Sequence, residues 1–195
     1  MTPPSDFVSV HEIRRRAPLH FEARADNARF IAFILHSTLP AELVRQLADS
    51  APYGGSPNIA MYEGFVREAA LALELIVKAV IAQKLELQVA PEGVNAIRTT
   101  HDLPWLWKDA GLRTLSRKDQ ALLLAGKRIL IWSGRYAAPK SDADLVREEE
   151  AYDALFPRTK GSIFSKPEDY IDWDGFDRIY QIAAGEFWNL RREIA

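Results

Sequence analysis

The chain has no cysteine, and that absence removes disulfides, thiolate metal sites and a cysteine nucleophile together. It has no uninterrupted apolar stretch of the roughly 18 to 20 residues that a membrane helix requires. It has little net charge, formally -2, so no whole-chain electrostatic signature of nucleic-acid or membrane binding is present. Only four histidines occur, His11, His20, His36 and His101, and their dispersal offers no metal-ligand spacing. There is no Walker loop, no G-x-G-x-x-G, no H-E-x-x-H and no G-x-S-x-G. The N-terminal stretch MTPPSDFVSVHEIRRRAP lacks an apolar core of signal-peptide length, so no secretion signal is expected. A soluble, cytoplasmic protein without metal or cofactor is the resulting expectation.

What is present is helical periodicity. At 195 residues the chain is long enough for one domain with its own core. Residues 1–20 read as an extended arm, punctuated by Pro3, Pro4 and Pro18 and made locally positive by Arg14, Arg15 and Arg16. Such an arm either is a solvated terminus or touches a partner. The remainder, 21–195, reads as an α-helical bundle. A first helix over Phe21–His36 carries Phe30, Ile31, Phe33, Ile34 and Leu35 as its apolar stripe. A short helix after Pro40 presents Leu43, Val44 and Leu47. The long central helix spans about 59–85, with Asn58 as its N-cap.

Residues 87–100 form a connection, and Thr100 or Asp102 caps a short helix containing Trp105 and Trp107, one of which points outward. Ser116 caps the next helix, whose Leu122, Leu123, Ile129, Leu130, Ile131 and Trp132 lead to Gly134. A helix over Asp142–Phe156 is expected to place Leu145, Val146, Tyr152 and Leu155 inward. A last helix, from Asp174 to about Ile194, carries Phe176, Ile179, Tyr180, Ala183, Phe187, Leu190 and Ile194 as one stripe. No segment alternates with period two long enough for a convincing strand; Leu85–Val89 and Ser162–Phe164 are the only candidates. The expected fold is all-α, a single compact bundle of about five to seven helices around the central one.

The chemistry concentrates on that central helix. From Ala69 to Ala82 every residue is apolar except Glu74 and Lys78, which stand one helical turn apart in the order that pairs best. A helix apolar nearly all round is buried, and charges are rarely buried without a partner. Glu63, Arg67, Glu74 and Lys78 fall within an arc of about 60°, so they either form ladder salt bridges or line a cleft. Downstream, His101 can hydrogen-bond a carboxylate such as Glu74 or serve as an acid–base group. Arg135, at a helix end beside Tyr136, either complements the helix dipole or holds a phosphate or carboxylate.

Glu74 to Lys78, then His101-Asp102-Leu103 with Leu106, then Arg135-Tyr136 with Pro139 form a pattern that resembles HEPN-domain proteins over about residues 60–140. The resemblance implies a helical bundle, often a homodimer, associated with RNA cleavage, RNA or nucleotide binding, and toxin–antitoxin or other stress and defence systems. Catalytic members of that family carry an Arg-x(4–6)-His motif near the start of a late helix. This chain has no histidine after His101, and the spacings Arg15 to His20 and Arg29 to His36 fall early in the sequence. The expected function is therefore a non-catalytic domain binding RNA, a nucleotide or a cognate protein partner through Glu74, Lys78, His101, Asp102, Arg135 and Tyr136. Two alternatives stand beside it: a metal-independent ribonuclease, and a structural subunit dimerising through the last helix.

Overall fold

A computed structural model describes residues 10–37, 41–51, 53–133, 141–155 and 171–192. The fold is all-α, built around one 30-residue helix, α4 (Pro57–Glu86). Before it come α1 (Val10–Arg16), α2 (Pro18–Ser37) and α3 (Ala41–Ser50); after it come α5 (Leu103–Asp109) and α6 (Arg117–Arg128). A π-helical turn, Ile129–Ser133, extends α6, and α7 (Asp142–Leu155) and α8 (Trp173–Arg192) follow. No strand occurs among the described residues. Leu85–Val89 is instead the end and capping turn of α4, and Ser162–Phe164 lies outside the described residues.

The sequence explains α4 from end to end. Its N-cap is Ser56, not Asn58, because Pro57 occupies the first helical position. Proline's fixed φ and missing N–H suit that position, so the helix starts earlier than the Asn58 cap would allow. Ala69, Ala70, Ala72, Leu73, Ile76, Val77, Ala79, Val80 and Ile81 are buried around its circumference, as expected of a central helix. At its other end Gln88 takes a left-handed φ of 59°. The Val89 N–H then bonds the Lys84 carbonyl at 2.9 Å and the Gln88 N–H bonds the Leu85 carbonyl at 3.2 Å. These are the two bonds of a Schellman cap, here without the usual glycine.

Around α4, α2 and α8 form the principal layers, while α5 and α6 cover the remaining side. The last-helix stripe lies as expected: Phe176, Ile179, Tyr180, Ala183, Phe187 and Leu190 are all buried. Asp102 caps α5 by accepting the Trp105 N–H at 3.1 Å, and Ser116 caps α6 through the Asp119 N–H at 3.2 Å. Trp107 is buried and Trp105 is half exposed. Gly111, just after the Ala110 C-cap of α5, has a φ of 60°. A Cβ there would stand 2.9 Å from Pro91 Cγ, so both backbone shape and space call for glycine.

Several expectations are corrected. The arm over residues 1–20 is helical from Val10 to Arg16, and Pro18 opens α2 rather than punctuating an extended chain. Residues 1–9 lie outside the described residues. On α2 the buried face is Ala25, Ala28 and Ala32, while Phe30, Ile31, Phe33 and Ile34 remain exposed. Small side chains let α2 lie close on α4, and that choice turns the large residues outward. Leu47 and Val146, expected inward, are also exposed.

Candidate functional site

Glu74 and Lys78 form the ion pair that their spacing suggests. Lys78 Nζ donates to Glu74 Oε1 at 2.6 Å, and both residues are buried. His101 Nδ1 lies 2.8 Å from the other carboxylate oxygen, Glu74 Oε2, so each oxygen of Glu74 has its own nitrogen partner. The histidine is brought there by the start of α5. Asp102 caps that helix, its N–H bonds Thr100 Oγ1 at 3.1 Å, and Leu103 and Leu106 are fully buried behind it. The proposed partnership of His101 with Glu74 is thus present as geometry.

The other members of the expected cluster separate. Glu63 and Arg67 share the arc but are exposed, and no ion pair joins them among the described residues. Asp102 is a cap, and its second oxygen lies 3.1 Å from Lys127 Nζ on α6. Arg135, Tyr136 and Pro139 lie outside the described residues. Arg29 and His36, the pair with an Arg-x(6)-His spacing, are engaged in packing. Arg29 Nε donates to Asp177 Oδ1 at 2.7 Å, and its guanidinium lies 5.6 Å from the Trp173 ring and 5.3 Å from that of Tyr180. His36 stacks on Trp173 at 5.9 Å. Burial in this α2–α8 seam, with Asp26 and Glu22 nearby, pushes the Tyr180 phenol well above its ordinary range.

Lys78 reaches a second environment. It lines a cleft of about 1250 Å³ bounded by α1, the start of α2, the C-terminal half of α4 and the 87–100 connection. Arg14, Arg16, Arg24, Arg98 and His20 line it as well, against one acidic residue, Glu86, among the described residues. Arg14 and Arg24 make no hydrogen bond or ion pair among the described residues. Arg98 is held from behind: its Nε donates to the buried Asp109 Oδ2 at 2.6 Å, and its guanidinium sits 4.6 Å from the Trp105 ring. Using Nε in this way leaves the two Nη groups for another acceptor.

Apart from Lys78, these cleft residues are not among the expected site residues. The Arg14–Arg16 run was visible as positive charge, and His20 and Arg24 stand one helical turn apart on α2. What the sequence did not carry was the tertiary placement of Arg98 opposite them. No group of three or more metal-binding side chains occurs among the described residues. None of the helices is long and apolar enough to cross a membrane, among the residues described. Compared with family models, with curated proteins and with solved structures, the chain finds no match.

Proposed function

We propose that this chain is a HEPN-like, non-catalytic binding domain that holds an anionic partner in the cleft beside Lys78. RNA, a nucleotide and an acidic segment of a cognate protein all present the required charge, and a stress or defence setting suits such a domain. One observation carries the reading: a chain of formal net charge -2 gathers four arginines and Lys78 around one cleft with a single acid among the described residues. A low-dielectric concave surface of one sign concentrates counter-charged ligands. The test is fluorescence anisotropy with a labelled 12-mer RNA, a labelled nucleotide and an acidic peptide, repeated across salt concentrations. At least one probe should bind with an affinity that falls as salt rises. Arg14→Ala together with Arg24→Ala should weaken that binding by about tenfold, equivalent to about 1.4 kcal/mol. Binding that ignores both substitutions and salt would sink the proposal.

A metal-independent ribonuclease is the second reading, favoured by the placement of His20 among the cleft arginines. Guanidinium groups there would hold a phosphate while imidazole moves protons. His101 and His36 are less suited, since one bonds Glu74 and the other stacks on Trp173. Cleavage of labelled RNA that survives EDTA and disappears in His20→Ala supports this reading, and intact RNA under both conditions removes it.

A homodimer, if this chain forms one, is better served by α2 than by α8. The α8 stripe is consumed inside the bundle. On α2, Phe30 and Ile34 point within about 40° of the direction opposite the buried alanines. Because the chain lacks cysteine, Ile34→Cys gives a single-site cross-linking probe. A disulfide-linked dimer forming at Ile34→Cys but not at Val146→Cys is the outcome that supports pairing through α2.

A further inference from the structure

We infer that the cleft is a receptor for an acidic amphipathic helix of a protein partner. This rests on the anionic-partner reading and narrows it to one chemistry. Phe21, Leu75, Leu85 and Ile97 line the cleft half-buried against the core, while Arg14, Arg16, His20, Arg24 and Arg98 line it as exposed residues. Exposed cations thus flank a half-buried apolar lining that the buried Lys78 interrupts between Leu75 and Leu85, and grooves that receive an amphipathic helix through anchors at i, i+3, i+4 and i+7 combine such parts. Leu75 and Leu85 line the cleft from the fold's central helix, so the surface meant for those anchors belongs to a continuous helix.

Charge sets the sign of the partner. Arg14 and Arg24 carry no partner of their own among the described residues. Arg98 is already oriented by Asp109 and Trp105, so its remaining donors are offered with little further loss of side-chain freedom. A guanidinium fixed through Nε presents a fork that matches a carboxylate. An occupant with glutamates or aspartates flanking an apolar stripe satisfies both parts of the cleft.

Size and lining favour a helix over the other anions. The volume, about 1250 Å³, exceeds the roughly 300–1,000 Å³ of ordinary small-molecule sites. Single-stranded RNA is held largely by stacking bases on aromatic faces. Among the described residues the cleft offers two rings, Phe21 and the imidazole of His20, and the face of nearby Trp105 carries Arg98. An aliphatic lining suits leucine-type anchors better than it suits bases.

The experiment uses the full chain and four labelled probes: an amphipathic helical peptide with leucines on one face flanked by glutamates, a scrambled peptide of the same composition, a 12-mer of polyuridine and a nucleoside monophosphate. The amphipathic peptide should bind saturably and gain helical circular dichroism, with the scrambled peptide weaker by about tenfold or more. Arg14→Glu with Arg24→Glu should abolish binding, and Ile13→Asp, at an exposed position lining the cleft, should reduce it without altering the melting temperature. Equal binding of the two peptides overturns the helix and leaves a merely cationic cleft. Arginine-dependent binding of polyuridine or the nucleotide, with none of the peptide, overturns the inference while sparing the anionic-partner reading. If no probe binds up to millimolar concentration, both fall.

Discussion

Replacing Lys78 by methionine removes one charge from the centre of α4 while keeping the length of the side chain. Glu74 is then left, among the described residues, with His101 as its only nitrogen partner, at 5% exposure. Breaking a buried pair by deleting one member costs about 3–5 kcal/mol, because the remaining charge is uncompensated. Lys78 lines the cleft, so water can replace part of the lost contact, and the lower end, about 3 kcal/mol, is expected. For a chain of this size that corresponds to a fall of about 6–12 °C in melting temperature. The paired change Glu74→Leu with Lys78→Met removes both charges and should recover to within about 1 kcal/mol of the parent. Urea unfolding followed by circular dichroism measures both, provided the slope with denaturant stays constant. A cost below about 1 kcal/mol for Lys78→Met would mean the pair behaves as an exposed one. A double variant as unstable as the single would show that an orphaned carboxylate is not the cause. Either result refutes the reasoning.

Three further outcomes are expected. Gln88→Gly should raise stability by about 1 kcal/mol, since it relieves a left-handed residue in the cap of α4, and thermal unfolding reads it directly. Asp102→Ala should cost about 1 kcal/mol through the lost α5 cap, while leaving anion binding to the cleft unchanged; weakened binding would return Asp102 to the site. Burial, and Asp26 one turn later, raise the Glu22 carboxyl above its ordinary range. A raised folded-state value means that stability is fully present below the unfolded-state value, about 4.3, and declines as pH rises through the folded one. Glu22→Gln should therefore stabilise at neutral pH, by about 0.2–0.5 kcal/mol from the like-charge pair, and the difference should vanish below pH of about 4 in melting curves taken across pH.

Much of the fold was legible because it rests on local rules. The apolar run of α4 with its single pair, the Asp102 and Ser116 caps and the stripe of α8 each follow from spacing within one segment. The α2 helix was legible as a helix but not in its orientation. Ranking its faces by hydrophobicity selects Phe30 and Ile34 for the core, whereas close approach to α4 selects Ala25, Ala28 and Ala32. Only the partner helix decides between size and closeness. The bond from His101 to Glu74 could be anticipated because an otherwise buried carboxylate needs donors. The cleft could not, since Arg14 and Arg24 meet Arg98 through the path of a 14-residue connection without periodicity.

The Glu74–Lys78 pair and the cleft are connected parts of one construction. Apolar residues of similar volume in place of a buried pair are often as stable or more so, so stability alone does not account for charges at these positions. Glu74 does not line the cleft, yet it bonds Lys78, which does, and His101, which closes the connection whose residues Asn95–Thr99 form the facing wall. At the same end Lys84 donates to the Ala110 carbonyl at 2.9 Å and meets Glu186 at 2.7 Å, tying α4 to the end of α5 and to α8. Next to Ala110 in the chain, Asp109 holds Arg98. The cleft wall is therefore pinned to the central helix at His101 and, through the end of α5, at Lys84. A buried carboxylate with one oxygen on a lining lysine and the other on His101, two residues beyond the lining Thr99, fixes the position of that segment against α4. That geometric role explains a polar interior in a helix otherwise built for burial.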